Sequence, residues 1–527
     1  MIYGLAVQER ADRSRDSVNH VRDSRTSSPQ GRTTPSIAVP TGRVASRGTM
    51  MTAALLFAMV SAILATLDPR LRHWFLAPVT ICAVLLGPDV LDWLRRRCDV
   101  LDPQALVSLI GIHFFYAAPI LHVLLDFWMW ESFPSDGWRN SLGAMATLNA
   151  VGLAAYRAIL SMRARSVRRR PARQLNERVF QRVGITAVTM GVTAFIVEVM
   201  MFGGVQGFIT TMTSNRTELA GWGWMLIVAE SFPLLTFAVA VVRWRQVLAR
   251  RPIALLFLWL TFAVVQFAVS GVRGSRNNTV WPVLVGVILI HYLVLRLSRR
   301  TLLGFIAGFA VFMYAYGLYK GAGIQVLEIL NGQRTVAEVS HRTGRGVPTV
   351  LLGDLGRADV QATVLEGVRS GQVKPAMGVT YIAAPMLLVP QGLIPERPRG
   401  KVAVGTDALY GNGAYDAGVR SSRVYGITGE AILNFGAPGG LFSFVVLGML
   451  VRTARRYCGQ ALNGGRTAPK MLSASLTVAT LSVLSWDADN LVWFSLKHVL
   501  PLVLVVVVAR AWPTPQPGER RRSCTCC

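Results

Sequence analysis

Twelve apolar runs follow one another along the chain, near residues 50–67, 74–94, 105–128, 141–160, 183–202, 223–242, 253–271, 279–297, 301–319, 427–450, 471–486 and 491–511. Each is close to the roughly 20 residues an α-helix needs to cross the hydrocarbon of a bilayer. The pattern predicts an all-α polytopic membrane protein of about 12 transmembrane helices, with one large extracytoplasmic loop containing amphipathic helices. No internal repeat interrupts the series, which disfavours transporter folds built from two related halves.

Polar segments divide the chain further. Residues 1–48 are rich in Arg, Ser, Asp, Thr and Pro without apolar periodicity, and read as a disordered basic cytosolic tail. The first apolar run begins near Met50, too far in for a cleavable leader. Helices 1–9 then occupy 49–319, the large loop 320–426, helices 10–12 427–511, and a second cytosolic tail 512–527. Within the loop, "IQVLEIL" (324–330) and "TVLLGDLGRADVQATVLEGV" (349–368) place apolar residues at helical spacing among charges. They predict amphipathic helices lying on the membrane or capping a cavity. The stretch 378–398 is apolar but broken by prolines, and predicts a re-entrant or surface-lying segment.

Charge orients the series. Basic clusters at 95–97, 163–173, 243–251, 296–300 and 452–456 fall on alternate loops, all on the side of both tails. By the positive-inside rule both termini are cytoplasmic, with Arg70 and Arg72 as the main dissent. The loop 320–426 and the turn holding Arg273 and Arg276 then face outward. The composition agrees: 52% of 527 residues are hydrophobic and only 16% charged. The formal charge of +27 is better explained by the positive-inside rule than by nucleic acid, and no nucleic-acid-binding pattern accompanies it. Of six cysteines, Cys82, Cys98, Cys458, Cys524, Cys526 and Cys527, none lies in the large loop, so no external disulfide framework is expected.

No Walker A loop, GxGxxG, HExxH or CxxC pair occurs, which argues against nucleotide and zinc chemistry, and no cofactor or metal is expected. The informative residues are charges in costly places. Arginine at a helix centre costs roughly 2.5–3.5 kcal/mol on insertion scales. Arg273 and Arg276, three apart beside Gly271 and Gly274, either snorkel to headgroups or form a fork for phosphate, which guanidinium binds without a metal. Arg420 and Arg423 repeat the spacing just before Glu430, an ionisable group at the start of an apolar helix. Glu430 is either half of a salt bridge to one of these arginines or a functional carboxylate. Asp487 and Asp489 of "WDADN" form a D-x-D pair, a weak cation pattern otherwise read as a solvated helix end. His113, His122, His291 and His498 read as hydrogen-bonded packing residues. His341, in the large loop beside Arg342 and Arg345, is the histidine placed for a catalytic role.

At "GVRGSRN", "GRADV" (356–360), "GVTY…VP…P.RP" (378–398) and "GITGEAILNFGAPGG" the chain resembles the O-antigen polymerase or oligosaccharide repeat-unit polymerase family of bacterial membrane glycosyltransferases. The last stretch carries the family's GE-x-x-x-NFG-x-x-G pattern as Gly429, Glu430, Asn434, Phe435, Gly436 and Gly439. Gln391 departs from the pattern where a basic residue is expected, and Arg397 stands where lysine is commoner. The resemblance spans about residues 100–511. It implies transfer of a growing glycan from polyprenyl pyrophosphate to a lipid-linked repeat unit at the outer face of the plasma membrane. Glu430, then His341, are the catalytic bases it suggests. Arg273, Arg276, Arg357, Arg420 and Arg423 would contact the lipid pyrophosphate, and Tyr381, Tyr425 and Asn434 the sugar. Partners would be the polyprenyl-pyrophosphate-linked oligosaccharide, the lipid bilayer, and a chain-length regulator and flippase of the same pathway, with no nucleic acid. The alternatives are an O-antigen-type ligase, a transporter or flippase of lipid-linked sugar, and a metal-dependent transferase using Asp487 and Asp489.

Single cysteines introduced at 271–279 and 330–420 are expected to react with a membrane-impermeant maleimide from the outer side only. Labelling solely from the cytoplasmic side would overturn this orientation.

Overall fold

Helices account for the architecture, and no strand occurs among the described residues. A computed structural model describes residues 46–129, 136–162, 174–214, 223–272, 277–322, 327–344, 346–389, 393–394, 396–421, 423–463 and 467–511. Arg273, Arg276, Arg345 and Gln391, both tails beyond these limits and part of 324–330 lie outside them. The helices are α1 Arg47–Leu67, α2 Leu76–Leu94, α3 Pro103–Leu124, α4 Trp138–Ser161, α5 Glu177–Met201, α6 Gly204–Ser214, α7 Gly223–Arg250 and α8 Pro252–Gly271. They continue as α9 Asn277–Leu293, α10 Arg299–Ala322, α11 Val336–Thr343, α12 Ala358–Arg369, α13 Val379–Met386, α14 Lys401–Tyr410, α15 Gly426–Asn463, α16 Thr467–Ser485 and α17 Ala488–Ala511.

Each of the twelve apolar runs is helical, and 10 of these helices are long and apolar enough to cross a membrane. The protein is therefore an all-helical membrane protein. The two that fall short are α9, which has 17 residues, and α16. Lipid-level apolarity is carried by outer helices such as α1 and α5, which expose Leu55, Met59, Ile185, Met190 and Met200. The interior is lined differently. On α16, Ser473, Ser475, Thr477, Thr480 and Ser482 are all buried, packed against α15, α9 and α3.

Within 320–426, one of the two expectations for 349–368, a helix lying on the membrane, is not met. Helix α12 does not lie on a surface: Ala358 through Leu365 are all buried, and the helix packs between α4 and α15. Its polar residues explain why amphipathicity misled. Asp359 and Gln361 face protein partners rather than water, so their charge and polarity mark internal hydrogen bonds. In the stretch 378–398 the chain forms α13. This short helix packs against the start of α17, and the Leu387 carbonyl approaches Gly223.

The "NFGAPGG" stretch breaks α15. Gly436 adopts φ 68° and ψ −159°, a region essentially closed to residues with a Cβ, and Pro438 follows. Pro438 has no N–H to donate to the Asn434 carbonyl. Met377 N–H takes that carbonyl at 2.9 Å and Ala376 N–H takes the Leu433 carbonyl at 3.0 Å. The break thus creates acceptors that pull residues 376–378 into the bundle.

A second polar network joins α2, α3, α4 and α15 through Asp89, Asp102, Gln104, Ser108, Arg157 and Arg455. Asp89 Oδ1 accepts from Gln104 Nε2 at 2.8 Å and Arg157 Nη1 at 2.9 Å, while Oδ2 accepts from Ser108 at 2.8 Å. Arg455 Nε reaches Asp102 Oδ2 at 3.3 Å.

Gly436→Ala should be destabilised by roughly 1–3 kcal/mol, because alanine pays for a backbone region that glycine occupies freely. A thermal-unfolding midpoint in lipid nanodiscs equal to wild type would refute this reading of the break.

Candidate functional site

Glu430 and Asn434 are one helical turn apart on the first segment of α15, so they share a face, and neither is exposed to solvent. The Asn434 amide donates to Thr380 Oγ1 at 2.7 Å and to the Glu430 carbonyl at 2.8 Å, and its Oδ1 accepts from Gly378 N–H at 3.0 Å. Thr380 in turn donates its hydroxyl to Glu430 Oε1 at 2.7 Å. Glu430 Oε2 accepts the Ala488 backbone N–H at 2.6 Å, from the first turn of α17. Both carboxylate oxygens are thus met by uncharged donors. The salt bridge to Arg420 or Arg423, one of the two sequence readings of Glu430, is not formed.

Asp487 lies beside this carboxylate with no exposed surface. Its Oδ1 accepts from Tyr425 N–H at 2.8 Å and its Oδ2 lies 2.8 Å from Lys401 Nζ, itself only 4% exposed. Oδ1 of the first aspartate of the D-x-D pair is therefore taken by a backbone donor, and Oδ2 is ion-paired with Lys401. Among the described residues no cluster of three or more His, Cys, Asp and Glu converges to hold a metal. Lys401 also donates to the Arg423 carbonyl at 2.9 Å. Burial alone would lower the Lys401 ammonium, but Asp487 and then Asp489 hold it above the ordinary lysine value.

Tyr425 is buried through three contacts. Its hydroxyl donates to the Gly405 carbonyl at 2.8 Å, its own carbonyl accepts from Gln361 Nε2 at 2.8 Å, and its N–H serves Asp487. Burial pushes its phenol well above the usual tyrosine range. Tyr381 stacks on the half-exposed ring of Phe435, with centroids 6.2 Å apart. Its phenol is raised by burial and by the nearby charge of Glu430. Together Tyr381 and Phe435 form an aromatic surface next to a buried carboxylate.

The sequence-derived set therefore divides. Glu430, Asn434, Tyr381 and Tyr425 come together, and Arg423 borders them, its Nη1 3.2 Å from Asp359. Arg420 does not join: it is exposed, and its guanidinium lies 3.8 Å from the centroid of the Tyr415 ring. Arg357 is buried at the start of α12 and donates to the carbonyls of Asp354, at 2.7 Å, and Gly356. His341 is exposed on α11, which packs against α10, and is absent from the bonds around Glu430. Arg273 and Arg276 lie outside the described residues. His113, His122 and His291 are packing histidines, bonded to the Leu351 carbonyl, the Phe127 carbonyl and Asp99.

Sequence reasoning passed over Thr380, Lys401, Asp359 and Gln361. Two signals pointed to them: Thr380 is a hydroxyl inside the apolar "GVTY" run, and Lys401 is a cation between an apolar re-entrant stretch and a glycine-rich turn. Comparison with protein-family models, curated proteins and solved structures finds no match for this chain.

Thr380→Val removes the donor to Glu430 and the acceptor of Asn434, and is expected to cost roughly 1–3 kcal/mol. Thr380→Ser keeps both and should stay near wild type. Equal denaturation midpoints for the two variants would show that the hydroxyl carries no load.

Proposed function

We propose that this protein is a membrane glycosyltransferase that polymerises polyprenyl-pyrophosphate-linked oligosaccharide repeat units at the outer face of the bacterial plasma membrane. The observation that carries the reading is Glu430. It is a solvent-free carboxylate, held by a hydroxyl and a backbone N–H at the foot of the GE-x-x-x-NFG motif, beside an aromatic surface. A carboxylate with uncharged partners is free to gain a proton without first breaking an ion pair.

In this reading the acceptor sugar stacks near Tyr381 and Phe435, and Glu430 takes the proton from its attacking hydroxyl. The new glycosidic bond forms as the bond from the donor sugar to the pyrophosphate breaks. The electron pair leaves with the lipid pyrophosphate, whose growing charge needs cations. Arg423 at the border of the site and Arg273 and Arg276 are assigned to it. Burial of α12 between α4 and α15 supports a loop that belongs to the catalytic body.

The topology belongs to the same proposal. Twelve crossings place both termini in the cytoplasm and 320–426 outside. Interior position supports counting α9 and α16 as crossings, since a helix enclosed by other helices needs no lipid-facing apolar surface. At 1.5 Å per residue, α9 is about 25 Å long, within reach of a bilayer core.

A transporter of lipid-linked sugar is the second reading, favoured by one observation, the broken helix at Gly436. The two separate in vesicles containing purified protein and a lipid-linked repeat unit. The polymerase lengthens glycan on a gel, whereas the transporter moves the unit across the bilayer unlengthened. Glu430→Gln keeps the shape and is expected to slow elongation by about 10²–10⁴-fold. Long chains at the wild-type rate from this variant would exclude Glu430 as the base.

A further inference from the structure

Lys401 is not needed to bind Glu430, yet it occupies one of the most expensive positions in the protein. Removing an ammonium from water costs several kcal/mol unless it is closely paired. Its partner is Asp487, which stands at the junction of the two elements that carry the site. One Asp487 oxygen accepts the N–H of Tyr425, the residue before α15 begins. The residue after Asp487 is Ala488, whose N–H is held by Glu430 Oε2. A path of two contacts therefore runs from Lys401 to Asp487, and through the peptide to Ala488 and Glu430.

The charges around Glu430 sharpen this geometry. Asp487 and Asp489 face it as acids, Tyr381 as a phenol, and Thr380 as a hydroxyl donor. Asp359 is engaged by Arg423, whose carbonyl is bound by Lys401. Lys401 is the cation placed directly against Asp487. Without it, the Asp487 charge beside Glu430 would be uncompensated, and the 486–488 turn would lose one of the contacts that fix it. Both changes favour the protonated form of Glu430. A base has to be deprotonated before its substrate hydroxyl arrives, so the pairing bears on catalysis without touching the reacting atoms.

We propose that Lys401 is a positioning residue that sets the proton affinity of Glu430 by neutralising Asp487 and holding the Ala488 N–H in place. This rests on the reading of Glu430 as the proton acceptor. The ammonium's raised proton affinity is consistent with it.

The test is an infrared titration of the full-length protein in lipid nanodiscs. The carbonyl stretch of a protonated carboxylic acid is followed against pH, and the band lost in E430Q is assigned to Glu430. Lys401→Met is expected to raise the midpoint of that band by about 1–3 pH units. Lys401→Arg, which keeps the charge, should stay closer to wild type. Adding Asp487→Asn to Lys401→Met should return the midpoint towards wild type, because the uncompensated anion is gone. A midpoint unmoved in Lys401→Met overturns the proposal, as does a rise that Asp487→Asn does not reverse. If Lys401→Met fails to fold, Asp487→Asn alone decides: a lowered midpoint supports the proposal, and an unchanged or raised one overturns it. The titration needs no glycan. Absence of chain growth by the wild type would therefore count against the polymerase reading and leave this one standing.

Discussion

Two carboxylates with no exposed surface, Glu430 and Asp487, impose the condition that organises this end of the protein. An anion away from water is tolerated only when its oxygens are hydrogen-bonded or ion-paired. The donors come from four separated places in the chain: Thr380, Lys401, the Tyr425 N–H and the Ala488 N–H. Satisfying them obliges the segments around 380, 401, 425 and 488 to meet at one point. A stretch of more than 100 residues between two apolar helices is in this way drawn into the helical body.

The helix break at Gly436 supplies the complementary acceptors. A continuous helix would consume the carbonyls of Leu433 and Asn434 internally. Here they are free for Ala376 and Met377, which brings Gly378 and Thr380 alongside Glu430. The parallel placement of α12 follows from the same economy of space. Gln361 lies within 4 Å of where a Cβ on Gly426 or Gly429 would sit, and Val368 similarly borders Gly436. Glycines on one helix admit the side chains of the other, and Gln361 uses the proximity to bind the Tyr425 carbonyl.

Arginine has two uses in this chain, and they overlap. The clusters whose alternation predicts an orientation also contain residues with specific partners. Arg296 contacts Asp99, Arg299 donates to the Trp93 and Cys98 carbonyls, and Arg455 reaches Asp102 and Gln104. Loop basicity therefore combines a topological signal with short-range hydrogen bonding. The overlap leaves the alternation of basic loops intact.

Hydrophobic run length alone specified the helices, because a chain that must satisfy its backbone within hydrocarbon has helix as its main option. Glu430 stood out too, as a charge in a costly place, whereas Asn434 entered only through the resemblance of its motif. Lys401, Thr380 and the role of Asp487 did not stand out. Each is an ordinary polar residue whose meaning depends on a partner tens of residues away, and one sequence holds no record of such pairings. The same limit explains α12. Its polar positions obey the periodicity of a surface helix, and only the tertiary structure reveals that their partners are other side chains and backbone carbonyls rather than water. Periodicity reports which residues are polar. What they are polar towards is decided by the packing of the helices around them.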